Sequence, residues 1–525
     1  MNTKRSLIFL SLFVFSTSFA GDKTNKTFLM PRSINTNLAM QMSNWHSFIY
    51  RSQEQYFGSN FQMSLYYQHS NNGKDLSKYF MFGGKNSLNV GTAAGKDVNP
   101  YNFNLRSTYV GSFSFKPEQQ VWGSRFDFYQ DLYKILKGLY ISFAAPVVNV
   151  ENDPGLRENI TTEGDAHFGP NTITQAFAGH KLTSDWSERW QYGKIDGKKT
   201  ECGLADIDVK LGYKIWDKKV FKLSANLGLT VPTGNKAEGV YFFEPIVGNG
   251  KHWALGGGLD TTIRLWKNEE ATKKLLFYLA ADYRYLFSNN QVRTLELKNN
   301  PWGRYIRMRQ QDPGDATMVL ANSVPGINVM TRNVKVTPGS QLDALASLNL
   351  KCKHWNFELG YNLWVRDSEN VKLKEAWNTP GTFGLIADTT AYQAESIAGA
   401  ATRLSWTDNT PAVVGNAIST TVVQGQVLPQ LIRGQLATTG VSPDTTIAAN
   451  ANTNVNNRSR FIEESDVDMC GNPTAVSHKI FGGLSYGFEF KDQPMFVNLG
   501  GSYEFAQNNA VLEQWAVWFK LGVVL

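Results

Sequence analysis

From Phe61 onward the chain is written in steps of two. Phe61, Met63, Leu65 and Tyr67 alternate with Gln62, Ser64, Tyr66 and Gln68 before Asn71-Asn72-Gly73 turns the chain. Successive strand side chains point to opposite faces, so this spacing predicts a strand with one apolar and one polar side. The clearest case is 207–231. There Ile207, Val209, Leu211, Tyr213 and Ile215, and after Asp217-Lys218-Lys219 the set Phe221, Leu223, Ala225, Leu227, Leu229 and Val231, make the apolar file of a hairpin. The pattern recurs in 253–266 with 274–287, in 341–351 with 355–366, and in 477–490 with 495–505. Weaker alternation predicts further strands at 76–90, 103–115, 121–131 and 138–149. The last file, Trp515, Val517, Phe519, Leu521, Val523 and Leu525, runs to the end of the chain. A strand of that kind must pair with another or leave a sticky edge.

Before residue 60 the period differs. Ile34, Leu38, Met42, Trp45 and Ile49 recur at steps of four and three, which gathers them on one side of a helix from about Ser33 to Arg51, with Ser33 as its cap. Such a helix either enters the barrel lumen as a plug, lies on the periplasmic leaflet, or packs beneath the barrel. Earlier still, Lys4-Arg5, the apolar run Leu7 to Phe15 and Ser18-Phe19-Ala20 ahead of Gly21 predict a secretory signal peptide over 1–20.

A soluble sandwich alternates too, because each of its sheets has one wet face. Two features point instead to a membrane barrel. Aromatic residues gather near strand ends, as interfacial girdles require. Connections also alternate in length, short at 217–219, 267–273, 352–354 and 491–494 but long at 151–202, 288–340 and 367–476. The expected fold is all-β, a transmembrane antiparallel up-and-down barrel of about 14 strands (roughly 12 to 16) over 60–525, with long extracellular loops. The 21–59 stretch is its amphipathic, possible plug segment, and loop 367–476 either folds inward or extends over the surface.

The alternating C-terminal strand resembles the terminal signature of bacterial outer-membrane β-barrels, with Leu525 in place of the usual Phe. That resemblance implies outer-membrane lipid as surroundings and recognition of the strand by the barrel assembly machinery. Val231-Pro232-Thr233-Gly234 resembles a pattern in outer-membrane transporters of the aromatic-degradation type. The barrel preceded by a plug-length segment looks like the long-chain fatty-acid transporters, although their Asn-Pro-Ala motif is missing. Both resemblances imply passive uptake of small, hydrophobic solutes. A structural or adhesive surface barrel without transport is the alternative.

Composition narrows the remaining choices. The formal charge of +7 falls to +5 once Lys4 and Arg5 leave with the signal peptide, and the basic residues are scattered among 45 acids, so no nucleic-acid partner is expected. Mean hydropathy is −0.31, as a barrel allows when only alternate residues meet lipid. Cys202, Cys352 and Cys470 form no CxxC pair, and no His lies at ligand spacing, so no metal and no cofactor are expected; a Cys202–Cys470 disulfide is left open. The seven histidines include His478 next to Ser477, but neighbours on a strand point apart, so no catalytic site is expected and the chain is read as no enzyme. Charges in the polar files must instead face the interior, since lipid would penalise them. The lumen-facing candidates are Asp206, Asp208, Lys210, Lys222, Asp260, Arg264, Asp282, Arg284, Glu358, Lys479 and Lys520. Five aromatic residues share that file, Tyr278, Trp364, Phe481, Phe496 and Trp518, as apolar partners for a plug.

Overall fold

The computed structural model describes residues 32–46, 58–386 with short interruptions (82–83, 92–95, 99, 104, 106–107, 165–169, 181–188, 299–301, 313–314, 378 and 380–381), 403–405, 411–412 and 462–525. The expected signal peptide, Ile49 and much of loop 367–476 lie outside these residues.

Twelve antiparallel strands form the wall: β1 (Ser59–Ser70), β2 (Glu118–Asp131), β3 (Leu139–Asp153), β4 (Ile207–Asp217), β5 (Phe221–Val231), β6 (Ala254–Lys267), β7 (Lys273–Leu286), β8 (Gly339–Cys352), β9 (Trp355–Arg366), β10 (Ala475–Phe490), β11 (Gln493–Ala506) and β12 (Gln514–Val524). Each pairs with its neighbour in sequence, and β12 pairs with β1 from Asn60↔Val524 to Ser70↔Gln514, which closes the barrel. One further strand, Lys199–Leu204, lies outside this ring and extends the edge of β3. The β3–β4 ladder ends at Ala144↔Asp208 and pairing resumes at Val147↔Leu204. Pro146 sits in the break, where it has no N–H to offer. Its carbonyl accepts the Ala205 N–H at 2.9 Å.

The count of 12 rather than 14 comes from the first long connection. Residues 76–90 and 103–115 do not enter the wall: Gly73–Phe80 is a helix, and Ser87–Val90 pairs with Val110–Ser114 and then Arg157–Thr162 in a separate small sheet. The parity seen in the sequence was real, but it serves a different core. Phe103, Leu105, Tyr109, Phe113 and Phe115 point into an aromatic cluster with Phe80, Phe177, Phe242 and Trp302. That cluster is built from several long connections and meets Trp364, Ala475 and Ala510 at the barrel rim, so it roofs the lumen. A second apolar cluster, with Leu295, Met308, Val334, Val371 and Trp377, joins 288–340 to the described parts of 367–476. No disulfide joins Cys202, Cys352 or Cys470.

The wall is inside out relative to a soluble protein. Leu227 is 71% exposed and Leu359 65%, with Leu65, Leu255, Leu499 and Phe519 also on the outer face. The opposite file buries Gln62, Arg125, Ser224, Asn349, Asn498 and Lys520.

The lumen-facing glycines have a specific use. A Cβ on Gly522 would stand 2.0 Å from the Phe496 ring, one on Gly500 2.4 Å from Trp518, and one on Gly360 2.3 Å from Phe481. In each case the ring belongs to the residue directly opposite on the neighbouring strand. The ring therefore lies flat across the wall and covers the glycine, restoring the contact a side chain would have made. Gly487 is different, because its Cβ would meet only carbonyl oxygens at 3.7 Å and beyond. Gly522→Val is therefore expected to cost roughly 1–3 kcal/mol through overpacking, seen as a lower unfolding midpoint in denaturant, whereas Gly487→Val stays near wild type. Equal midpoints for the two variants would refute this use of the glycines.

Candidate functional site

Residues 32–46 run lengthwise through the barrel. The sequence called for one helix to about Arg51; the described part is a 3-10 turn, Ile34–Thr36, followed by a five-residue helix, α1 (Leu38–Met42). Two features bound α1, one at each end. Asn37 breaks the turn ahead of it and caps it, its Oδ1 accepting the Met40 N–H at 3.3 Å. Asn44 then takes φ 59°, a left-handed conformation that Asn tolerates better than most residues.

The apolar stripe meets the wall as side chains, not merely as a face. Ile34, Leu38, Met42 and Trp45 are buried in one cluster with Tyr278, Phe481, Phe496 and Trp518. Trp45 lies 6.4 Å from Phe496, and the His46 ring stacks on Tyr278 at 4.3 Å. Trp364 sits higher, where the Arg32 guanidinium packs over it at 4.2 Å. Gly483 makes room for a segment side chain, since a Cβ there would fall 2.9 Å from Ser43 Oγ.

Wall charges grip the ends of α1. Asp343 Oδ2 accepts the Leu38 N–H at 3.4 Å, while Lys520 Nζ donates to the carbonyls of Gln41 and Ser43 at 3.1 and 2.9 Å. An acid at the N-terminus and an amine at the C-terminus match the partial charges a helix leaves there. Glu358 Oε2 accepts the Asn44 N–H at 2.9 Å. At the outer end Arg32 is bound to Glu504, which also takes Lys479 at 3.2 Å. Lys479 in turn donates to Asn37 Oδ1 at 3.1 Å. On the other flank Gln41 donates to Asp127 at 3.2 Å, and Arg125 orients that carboxylate.

Of the charges expected in the lumen, the structure thus brings Glu358, Lys479 and Lys520 to the segment. Four others form a separate group on β4–β7: Lys210 meets Asp282 at 2.5 Å and Arg284 meets Asp208 at 3.4 Å. Asp260 accepts from Ser224 at 2.5 Å beside them, and Asp206 is fully buried where the wall bends. Lys222 pairs with Asp217 at the short-turn end, and Arg264 is half-buried there. Sequence reasoning missed Arg32, Arg125, Asp127 and Asp343. Parity along 341–351 placed Asp343 with the polar file, but in 121–131 the alternation was too weak to single out Arg125 and Asp127. His478 faces outward, with Nδ1 2.6 Å from Tyr361 Oη and its ring stacked on Phe505.

Two of the cavities among the described residues adjoin the segment. One of about 60 Å³ lies at the outer end of the segment, beneath the roof. Its walls include Val121, Val148, Ile246 and Leu512, with Arg32 and Lys479 on the polar side. The other, also about 60 Å³, separates α1 from β4–β7 and is lined by Trp45, Lys210, Asp260 and Asp282. Both are large enough for water.

No family model matches this chain, and no curated protein matches it. Among solved structures, an outer-membrane channel from Pseudomonas putida F1 aligns over 90% of this chain and 100% of its own, at 10% identity and a TM-score of 0.34. The transport unit of the autotransporter AIDA-I from Escherichia coli aligns over 94% and 99%, at 9% identity and a TM-score of 0.32. A Pseudomonas aeruginosa FadL homologue aligns over 89% of each chain, at 7% identity and a TM-score of 0.27. Likeness this distant says nothing of substrate or mechanism.

Proposed function

We propose that this chain is an outer-membrane channel whose lumen is occupied by its own N-terminal segment, and that it admits small, partly apolar solutes by passive diffusion when that segment shifts. The observation that carries this reading is the inverted wall with a filled lumen. An exposed belt of Leu, Phe, Trp and Tyr on a closed barrel suits hydrocarbon, where every strand N–H and C=O must be satisfied within the wall. The segment inside is held both by its apolar stripe and by hydrogen bonds and ion pairs, and the polar contacts are ones that water can replace. The outer cavity supports a partly apolar solute, because Val121, Val148, Ile246 and Leu512 share its lining with polar side chains and two of its cations, Arg32 and Lys479, are already balanced by Glu504. On this reading the short turns are periplasmic and the roof is external. The second reading, a surface barrel through which nothing passes, is favoured by the aromatic roof that covers the rim.

Two measurements test these statements. Leu227 faces outward at mid-strand and its neighbour Asn226 faces the lumen beside Gly258. Arg at a lipid-facing midplane position costs roughly 2–4 kcal/mol, so Leu227→Arg should fold poorly in bilayers while Asn226→Arg retains heat-modifiable gel mobility. Equal yield and mobility for the two would refute the lipid-facing belt. In planar bilayers, deletion of 21–58 should leave a folded barrel with larger stepwise conductance than the full chain. Unchanged conductance with normal mobility would remove the segment from the pathway, and silence from both proteins would favour the surface barrel.

A further inference from the structure

Two short turns at the same end of the barrel adjoin one another. Residues 132–138 join β2 to β3 and residues 218–220 join β4 to β5, and the Lys214 N–H donates to the Gly138 carbonyl at 2.8 Å between them. The first turn coils once, with the Leu136 N–H donating to the Leu132 carbonyl at 3.0 Å. It lifts Tyr133, Ile135 and Leu136 clear of the wall, and Ile135 is 75% exposed. Trp216 and Val220 are half exposed across the second turn. Lys134, Lys137, Lys218 and Lys219 surround these side chains and are all exposed. Of the acids at this end, Asp131 holds Lys214 at 2.7 Å and Asp217 holds Lys222 at 2.8 Å, while Glu269 and Glu270 lie exposed on the next turn beside Lys267 and Lys273. The four lysines enter no ion pair among the described residues, so the lobe carries a local positive charge.

An aliphatic tip ringed by unpaired lysines and flanked by Trp and Tyr has the chemistry of an interfacial anchor. It is also continuous with the exposed outer belt through Tyr213 and Ile215 on β4. The turns across the barrel, 353–354 and 491–492, are two residues long and lift no aliphatic side chain. We propose that the lobe formed by 132–138 and 218–220 binds anionic phospholipid in the leaflet at the short-turn end, its lysines on headgroup phosphates and its tip at the acyl boundary. This rests on the outer-membrane reading above, and adds to it a preference of one sector for one lipid charge.

The test uses the full-length protein reconstituted in phosphatidylcholine vesicles with spin-labelled phosphatidylglycerol or phosphatidylcholine. The expected result is a roughly three- to tenfold preference for phosphatidylglycerol at low ionic strength that falls toward unity in high salt. The variant Lys134→Gln/Lys137→Gln/Lys218→Gln/Lys219→Gln should lose most of it, and Lys353→Gln/Lys491→Gln should keep it. All six substitutions lie on exposed turn positions, and heat-modifiable mobility checks that each variant is folded. No preference in the wild type, retention by the quadruple variant, or equal loss in both variants would overturn the lobe while leaving the channel reading intact. A protein that immobilises neither lipid would overturn the membrane reading itself, and the lobe with it.

Discussion

The pairing of the first and last wall strands decides everything else in this molecule. β1 and β12 are joined along eleven register positions, from Asn60↔Val524 to Ser70↔Gln514, and the Leu525 N–H donates to the Ser59 carbonyl at 2.8 Å beyond them. Without that seam the sheet would have two long apolar edges. With it, no wall strand is left open, and because a one-residue slip would exchange inside for outside, the register also fixes which file is wet. Trp515, Val517, Phe519 and Leu521 then face out, and Ala516, Trp518 and Lys520 face in. The lumen's chemistry follows from this choice of parity.

A polar lumen closed off from bulk water creates its own demand. Each buried charge needs a partner, or its desolvation goes uncompensated. On β4–β7 the wall answers itself, with Lys210 on Asp282 and Arg284 on Asp208. Around β8–β12 and β1–β2 it does not suffice, and the N-terminal segment supplies what is missing. Its backbone gives Lys520 two carbonyls and Glu358 and Asp343 one N–H each, and its Arg32 meets Glu504. The aromatic residues laid over glycines complete the surface on which its apolar stripe rests.

Much of this was legible in the sequence, and the failures have a common cause. Period-two alternation found every wall strand from Ile207 to Arg366 and from Ser477 to the C-terminus, because there one face is apolar throughout. The same rule misplaced 76–90 and 103–115, since a small sheet packed on an aromatic core alternates as well as one packed on lipid. Period 3.6 found Ile34, Leu38, Met42 and Trp45 together, yet overstated the helix, because wall contacts rather than helical propensity hold that segment in shape. Arg125 and Asp127 were hidden by the weak alternation of β2, whose outward file includes the polar Ser124 and whose inward file includes Gly123. Whether a segment lies within a barrel is a tertiary fact; the sequence offered only matching sets of aromatic and aliphatic residues on the two sides.

The lumen is obstructed twice, and the two obstructions differ in kind. The roof is an apolar core in which Phe103 and Phe113 each meet Phe177 edge-to-face, with Phe80 in the same cluster, so displacing it exposes aromatic area to water. The segment combines a short apolar stripe, Ile34, Leu38, Met42 and Trp45, with polar groups that water can also satisfy, each worth about 0.5–1.5 kcal/mol net, with more for those that involve charge. Its helix is a single turn that could not persist alone, so little internal structure has to be broken when it leaves. On the proposed channel reading, the segment is therefore the part that would yield. On the same reading, the roof's contacts with Trp364 and Arg366 would shield the outer cavity from above while the segment sets access from below.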